Sequence, residues 1–134
     1  DAKWDIDDWD LSDDGQRIAY TLNENGTSTL HVIAVALRDG KMTATAQPDP
    51  VFDPPISASV ISGLKWHPKQ ALLAFNVNSA RSPSDVYTWS PSGGKNVATR
   101  WTTSATGGIP AERFVEPTLV RWKSFGDREI TGFL

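Results

Sequence analysis

The fold is decided by a short alternating stretch that occurs twice in the chain. Residues 17–23 read RIAYTLN, in which Ile18, Tyr20 and Leu22 fall on one face of an extended strand. Residues 73–78 read LAFNVN and place apolar residues at the same alternate positions. Residues 11–23 align on residues 66–78 without a gap, and residues 30–32 align on 86–88 after one inserted residue. The pattern predicts two copies of one β-unit.

Turn signals divide each copy into short strands. Asn25-Gly26, which accepts positive φ angles and favours a tight hairpin, separates residues 17–23 from the β-branched run at 29–35. Asp39-Gly40 closes that run. In the second copy we predict a turn at residues 92–94 and strands at residues 59–66, 72–78, 85–89 and 96–103. Each copy therefore holds about four strands, the content of one β-propeller blade.

The predicted fold class is all-β, with about two four-stranded antiparallel β-propeller blades and a C-terminal strand or hairpin. Four prolines between residues 48 and 58 exclude a helix interior or a central strand there. The predicted units are a blade at 1–47, a proline-rich connection at 48–58, a blade at 59–108, and an exit segment with a hairpin at 109–134. Only residues 111–114 suggest a helical turn. Because two blades cannot close a ring, we expect the chain to belong to something larger.

Composition narrows the classes of partner. The chain is 39% hydrophobic and 22% charged, which is typical of a globular domain, and its net charge is −3. That charge gives no reason to expect nucleic acid or an anionic membrane as a partner. No apolar run approaches the ~20 residues of a membrane span. The absence of cysteine excludes disulfides and thiolate metal sites, and leaves a cytoplasmic or a periplasmic location open.

An acidic segment opens the chain and suggests a calcium loop. Its carboxylates are Asp5, Asp7, Asp8, Asp10, Asp13 and Asp14. Asp10, Ser12, Asp14 and Gly15 fit the first half of an EF-hand loop, but the twelfth position is Thr21, where a bidentate Glu is needed. No flanking helices are predicted. A strand followed by a hairpin turn explains the segment better, so we assign no metal ligand.

The remaining chemical motifs are also weak. His31 lies in a predicted strand and His67 in a turn before a proline, and neither has a second ligand at a suitable spacing for zinc. The Gly-x-Ser-x-Gly elbow of serine hydrolases is absent, and no parallel sheet is predicted to carry one. Residues 104–108, SATGG, lack the Lys and the helix of a phosphate loop. Asn25-Gly26-Thr27 is a formal glycosylation sequon that a turn explains equally well.

Aromatic residues offer a last candidate surface. Trp66, Tyr87, Trp89 and Trp101 occupy predicted strand positions. Such rings could stack on a sugar or on single-stranded nucleic acid, but packing between blades is the simpler account. We therefore assign no catalytic, cofactor-binding or metal-binding residue, and the substrate-binding residues stay unknown.

The same segments resemble the prolyl oligopeptidase-type serine peptidases. Residues 10–20, DLSDDGQRIAY, are similar to the turn-and-strand unit of that family's propeller blades, and residues 82–87, SPSDVY, resemble a late blade of its acylaminoacyl-peptidase and dipeptidyl-peptidase branches. Residues 114–125, FVEPTLVRWKSF, resemble the segment that leaves the propeller. Residues 126–134, GDREITGFL, resemble the first hairpin of the α/β-hydrolase domain.

Three positions depart from the family pattern. Gly126-Asp127 stands where the family usually has Asp-Gly, and Trp122-Lys123 replaces an aromatic-Pro pair. Lys69-Gln70 occupies a turn in which a Gly would be usual. These differences weaken the local turn predictions more than the resemblance itself.

The resemblance implies a non-catalytic module that gates or selects short peptides for a serine peptidase without a cofactor. Everything that performs hydrolysis in that family lies beyond Leu134, so no catalytic residue is carried over. The implied partners are the hydrolase domain or other copies of the chain, together with a peptide substrate in the parent. The alternatives are a stand-alone propeller scaffold, such as one of the periplasmic Tol type, and a sugar-binding β-domain with an exposed row of Trp. Residues 114–134 favour the peptidase module over both alternatives, because a stand-alone propeller has no reason to carry such a segment.

The C-terminal hairpin also predicts self-association. In the related peptidases this hairpin packs on the hydrolase domain. Without that domain, Phe125, Ile130, Phe133 and Leu134 would be stranded apolar groups. We expect them to dock on another copy or to stay disordered, and we expect the chain to form an oligomer.

Overall fold

The computed structural model describes residues 3–92 and 96–134. It is all-β, with two four-stranded antiparallel sheets, a two-stranded hairpin and, within the described residues, no α-helix. The first sheet has the order β1-β2-β3-β4 and the second the order β5-β6-β7-β8. The strands of the first sheet are β1 (Ile6–Leu11), β2 (Arg17–Glu24), β3 (Thr27–Arg38) and β4 (Lys41–Ala46). Those that follow are β5 (Val60–Trp66), β6 (Leu73–Ser79), β7 (Ser82–Trp89), β8 (Thr99–Arg100), β9 (Leu119–Lys123) and β10 (Glu129–Phe133).

The two sheets have the same internal register, which confirms the repeat. Leu11 pairs with Ile18 in the first sheet, and the aligned Trp66 pairs with Leu73 in the second. Tyr20 pairs with His31, and likewise Phe75 pairs with Tyr87. The inserted residue therefore lies near the β6–β7 turn, where the register shifts between Val77 and Ser79, and the central pairs of the two sheets are equivalent.

The sheets stack through opposite faces. The first sheet contributes Ala19, Leu30 and Val32 to the core between them. The second contributes the other face, with residues that include Leu73, Phe75 and Val77, all at most 2% exposed. Trp66, Tyr87 and Trp89 lie on this same face and are also buried. A front-to-back arrangement like this joins two non-equivalent surfaces.

The repeated alternation predicts that Ile18, Tyr20 and Leu22, and their counterparts Leu73, Phe75 and Val77, all face between the two sheets. The stacking corrects this prediction for the first sheet. Leu73, Phe75 and Val77 do face between the sheets, whereas their counterparts lie on the face of the first sheet that points away. Of these, Ile18 and Tyr20 are half-buried and Leu22 is buried. Both copies point their large residues in the same direction, so only one copy can direct them into a shared interface. The first sheet meets that interface with the small side chains of Ala19 and Thr21 instead.

The edge strands of the two sheets are joined by carboxylates. Asp8 Oδ2 accepts the backbone N–H of Leu64 at 3.0 Å, and Asp10 Oδ2 accepts that of Trp66 at 2.7 Å. Asp10 Oδ1 also lies 3.0 Å from Lys65 Nζ. These contacts fix β1 alongside β5, because each satisfies an edge N–H group that the second sheet cannot pair internally.

The proline-rich connection at residues 48–58 runs along the outer edge of the second sheet. Val51 N–H donates to Asn96 O at 2.7 Å, and Ala98 N–H donates to Val51 O at 2.8 Å. These bonds form a parallel bridge between Val51 and Val97. The last strand of the sheet is consequently shorter than predicted, with ladder pairing only at Thr99–Arg100. The turn predicted at residues 92–94 extends into residues outside the described part.

The C-terminal part carries a short helical turn and a hairpin. Ala111–Arg113 forms a 3₁₀ turn, as the sequence predicts. Strands β9 and β10 pair in a hairpin with Gly126 and Asp127 both at positive φ. The ring of Phe133 lies at the β2–β3 turn, 2.7 Å from where a Cβ on Gly26 would stand. Phe125 and Leu134 are 95% and 84% exposed, so two of the four apolar residues predicted to be stranded have almost no cover.

Candidate functional site

A cleft of about 280 Å³ lies between the second sheet, the proline-rich connection and residue 116 of the exit segment (residues 109–118). Its apolar side is formed by Phe52, Ile56 and Tyr87. The rings of Phe52 and Tyr87 meet edge to face with centroids 5.5 Å apart, and Tyr87 stacks on the buried Phe75. The connection follows this path because it is bonded to the edge of the second sheet on one side and packed on the core on the other.

The charged residues that line the cleft are two arginines and two carboxylates, one of which is Asp53 of the connection. Arg81 lies in the β6–β7 turn, Arg100 ends β8, and Glu116 belongs to the exit segment. Glu116 lies 3.3 Å from Arg81 Nε and accepts a hydrogen bond from Ser57 Oγ at 3.1 Å. A single carboxylate therefore ties the exit segment to the turn of the second sheet and to the connection.

Arg100 is held by a buried carboxylate next to the cleft. Asp85 is fully buried and pairs with the Arg100 guanidinium. Its remaining donors are the Ser82 hydroxyl, the Thr102 hydroxyl at 2.8 Å and the Ser104 N–H at 2.8 Å. Burial raises the pKa of Asp85, but these four donors outweigh it and hold the pKa of that carboxyl well below its usual range. The carboxylate stays ionised and organises residues 100–104 against β7.

Tyr87 is the buried polar residue that reaches the cleft. It is 7% exposed, and burial raises the pKa of its phenol. Within the described residues its hydroxyl makes no hydrogen bond. The buried side-chain atoms without a partner there are Thr21 Oγ1 and Trp66 Nε1, so the Tyr87 hydroxyl is open to solvent. The cleft thus combines an apolar surface, an unpaired hydroxyl and an ion pair at its rim, which are the parts of a small-molecule site.

The acidic N-terminal segment is used for structure. Asp8 and Asp10 bind the second sheet, and Asp14 accepts hydrogen bonds from the Ser12 hydroxyl at 2.6 Å and the Gln16 N–H at 2.9 Å. The Ser12 bond and then the Gln16 bond lower the pKa of Asp14. Across residues 3–92 and 96–134, no three His, Cys, Asp or Glu side chains come together to hold a metal ion.

The two histidines have separate structural roles and make no hydrogen bond to each other. His31 Nδ1 lies 2.9 Å from Asp49 Oδ2 and its Nε2 lies 3.1 Å from Thr29 Oγ1, while its ring packs beside Tyr20. His67 Nδ1 accepts the N–H of Lys69 at 3.1 Å within a turn. His31 links the first sheet to the connection, and His67 closes a turn.

The tryptophans do not form a sugar-binding row. Trp66 and Trp89 are buried in the core. Trp9, Trp101 and Trp122 are exposed, but they belong to β1, to the segment after β8 and to β9, on three different sheets or their edges. Trp101 instead donates from Nε1 to Thr88 Oγ1 at 2.7 Å. A continuous stacking surface would need these rings side by side.

The sequon and the Gly-rich stretch have structural explanations. Asn25 and Gly26 both adopt positive φ at the tip of the β2–β3 hairpin, where the Asn23 side chain accepts the Gly26 N–H at 2.8 Å. Gly107 and Gly108 are likewise both at positive φ, in a turn between the second sheet and the exit segment. Neither stretch gathers groups that would bind phosphate.

Sequence reasoning assigned no residue of the cleft. The contact between Arg81 and Glu116 spans 35 residues of chain and carries no local pattern. Asp85 does have a signal, because it shares the inward alternation of β7 with Tyr87 and Trp89. A charged residue at an inward strand position indicates a buried partner, and Arg100 is that partner.

Comparisons with known proteins assign this chain to no family. A scan against protein-family models finds no match for this chain, and a search of curated proteins finds none either. Among the described residues no helix has the length and hydropathy needed to cross a bilayer.

Proposed function

We propose that the chain is a two-blade part of a β-propeller that gates short peptides for a serine peptidase of the prolyl oligopeptidase type. The observation that best supports this proposal is the front-to-back stacking of two sheets with the same strand order and equivalent pairing in their central strands. Sheets that pack this way leave one unmatched face at each end of the stack, and a propeller closes such a series into a ring.

The uncovered faces support further blades. On the outward face of the first sheet lie Trp9, Leu11, Ile18, Tyr20, His31 and Ile33. On the outward face of the second sheet lie Val60, Ala74, Asn76, Val86, Thr88 and Trp101. Trp9 is 63% exposed and Trp101 is 69% exposed. Each face is equivalent, by the repeat, to one half of the interface that the chain already buries.

The peptidase half of the proposal rests on the resemblance of residues 114–134 and on the hairpin that they form. The β9–β10 hairpin has no place in either four-stranded sheet. Its exposed Phe125 and Leu134, together with Val115 at 85% exposure, are suited to contact a domain other than the two sheets.

The test uses the coding region around this chain and its full-length product. We expect a Gly-x-Ser-x-Gly sequence downstream of residue 134, further repeats of the same unit, and labelling of the full-length product by a fluorophosphonate. The label should disappear when the elbow Ser is replaced by Ala. The 134-residue chain alone should hydrolyse no aminoacyl, acylaminoacyl or ester substrate and should take up no label. Further repeats without an elbow would favour the stand-alone scaffold, and a coding region without repeats would overturn the propeller.

A further inference from the structure

The cleft beside the second sheet already holds a carboxylate of the chain itself. Glu116 reaches Arg81 at 3.3 Å and Ser57 at 3.1 Å. The side chains of Arg81 and Glu116 are 50% and 44% exposed, so solvent screens their attraction and the pair is weak. A carboxylate from another molecule can therefore compete with Glu116 for the same guanidinium.

Arg81 is the cation that is able to accept a new anion. The Arg100 guanidinium is committed to Asp85 and Ser82 through Nη2 and to the Thr102 carbonyl through Nε. Arg81 makes a single contact, through Nε, with Glu116. Its two terminal nitrogens make no hydrogen bond or ion pair within the described residues, and a guanidinium can bind a carboxylate through two parallel bonds.

The body of the cleft is suited to an apolar group with one polar atom. Phe52 and Ile56 supply apolar surface, and the Tyr87 hydroxyl lacks a hydrogen-bond partner among the described residues. A volume of about 280 Å³ accommodates one amino-acid-sized group. An acceptor on the ligand would take the hydrogen bond that the phenol otherwise gives to solvent.

We propose that this cleft binds a carboxylate attached to an apolar side chain, as found at the carboxyl end of a peptide, and that Glu116 occupies the carboxylate position until the ligand displaces it. Arg81 pairs with the ligand carboxylate, Phe52 and Ile56 contact its side chain, and the Tyr87 hydroxyl donates to its carbonyl oxygen. The site goes beyond the propeller proposal and does not depend on it, because every residue involved lies within the described chain.

The experiment is a titration of the ¹⁵N-labelled 134-residue chain with two probes that differ in one group. N-acetyl-L-phenylalanine carries the carboxylate, and N-acetyl-L-phenylalanine amide lacks it. We expect the acid to shift the Arg81 Nε–H resonance and the backbone amides of Ser57 and Tyr87 in a saturable way. The amide should bind at least tenfold more weakly. Equal binding of the two probes, or no saturable shift with either, would overturn the proposal.

Variants separate the ligand site from the fold. Arg81→Met should weaken binding of the acid at least tenfold, while Arg113→Met, in the exit segment and outside the cleft, should leave it unchanged. Glu116→Gln should tighten binding about threefold or more, because the internal competitor is removed. Glu112→Gln is its matched control and should have no effect. Weaker binding in Glu116→Gln, with an unchanged amide spectrum elsewhere, would contradict the competition.

The source of the carboxylate is identified with a third probe. A hexapeptide ending in phenylalanine is titrated as the free acid and as the C-terminal amide. Tighter binding of the free-acid peptide than of N-acetyl-L-phenylalanine identifies a peptide terminus as the ligand, and equal binding identifies a free small acid. Loss of the acid-over-amide preference in the peptide would count against recognition of the terminal carboxylate.

Discussion

Asp85 is the only fully buried charged side chain among the described residues. Its carboxylate accepts hydrogen bonds from four donors, on Ser82, Arg100, Thr102 and Ser104. Its folded-state pKa is held below the ordinary value, so ionisation of Asp85 stabilises the fold above the ordinary pKa of an aspartate. As pH falls toward the lower folded-state pKa, that stabilisation is lost.

The Asp85→Asn variant tests this contribution. Because the Arg100 side chain is 40% exposed, the variant should lose less than a fully buried ion pair would, about 1–3 kcal/mol at neutral pH. We expect the difference in unfolding free energy between the two proteins to shrink steadily below about pH 4, since wild-type Asp85 then takes up its proton on unfolding. Urea denaturation across pH 2–7 measures it. Glu129→Gln, which removes the exposed pair with Arg121, should change stability by less than about 1 kcal/mol.

Phe75 is the residue on which the sheet interface depends most directly. It is 1% exposed and contacts the rings of Phe52 and Tyr87. Phe75→Ala should lower the unfolding free energy by roughly 3–5 kcal/mol, because it leaves a cavity in a packed core. Val86→Ala, on the outward face of the same sheet, is the control and should cost less than about 1 kcal/mol. A small loss for Phe75→Ala would place the interface elsewhere.

The glycines of two hairpin turns differ in a single contact. Gly26 and Gly40 both follow a residue at positive φ and both have positive φ themselves, as two-residue hairpin turns of this kind require. A Cβ on Gly26 would lie 2.7 Å from the Phe133 ring, whereas a Cβ on Gly40 would contact nothing within 4 Å. Only the first turn therefore receives the C-terminal hairpin.

Alanine at each glycine separates turn strain from hairpin docking. Both Gly26→Ala and Gly40→Ala should cost about 1–2 kcal/mol through the positive φ. Only Gly26→Ala should also shift the Phe133 resonances and speed amide exchange in β9 and β10, because its methyl group displaces the ring. Equal exchange in the two variants would show that Phe133 does not anchor the hairpin.

At the scale of elements, local signals predicted strands and turns well and predicted their partners poorly. The alternation at residues 17–23 and the Asn25-Gly26 turn depend on neighbours in sequence, and both form as expected. The outward direction of Ile18 and Tyr20 could not be predicted, because it depends on which face of a repeated sheet meets the next one. The last strand is shorter than predicted because Asp85 binds Thr102 and Ser104, and the connection bonds to Asn96 and Ala98.

The candidate site could not be predicted either, because it also depends on contacts between segments that are distant in the sequence. The ion pair between Arg81 and Glu116 joins two distant exposed segments, and nothing near either residue marks it. The Tyr87 position was predicted as strand packing, and the stacking on Phe75 supports that role. Its unpaired hydroxyl becomes visible only when the connection and the exit segment are placed around it.

At the scale of the molecule, the chain is an open stack with two different ends. The outward face of the second sheet is equivalent to the face of the first sheet that is already buried. The outward face of the first sheet is equivalent to the buried face of the second. Two positions depart from this equivalence, since Gly63 aligns with Asp8 and Lys65 with Asp10, and the second sheet therefore lacks both carboxylates at its edge. Both ends still carry exposed apolar residues, among them Trp9 and Trp101, so copies should associate head to tail.

Head-to-tail association is tested with two variants, each of which carries a new charge on one of the two outward faces. Trp9→Glu places a charge on the outward face of the first sheet, and Val86→Glu places one on that of the second. Wild type should show a concentration-dependent mass above 14.6 kDa in sedimentation equilibrium, whereas each variant alone should remain monomeric because its own blocked face is needed for every contact. An equimolar mixture of the two variants should form dimers and stop there, since the Val86→Glu protein retains an intact first sheet and the Trp9→Glu protein an intact second sheet. Leu37→Glu, at the exposed end of β3, should associate like wild type. A wild-type monomer at all concentrations, or a mixture that stays monomeric, would contradict head-to-tail association, and dimers of either variant alone would indicate contact through the C-terminal hairpin instead.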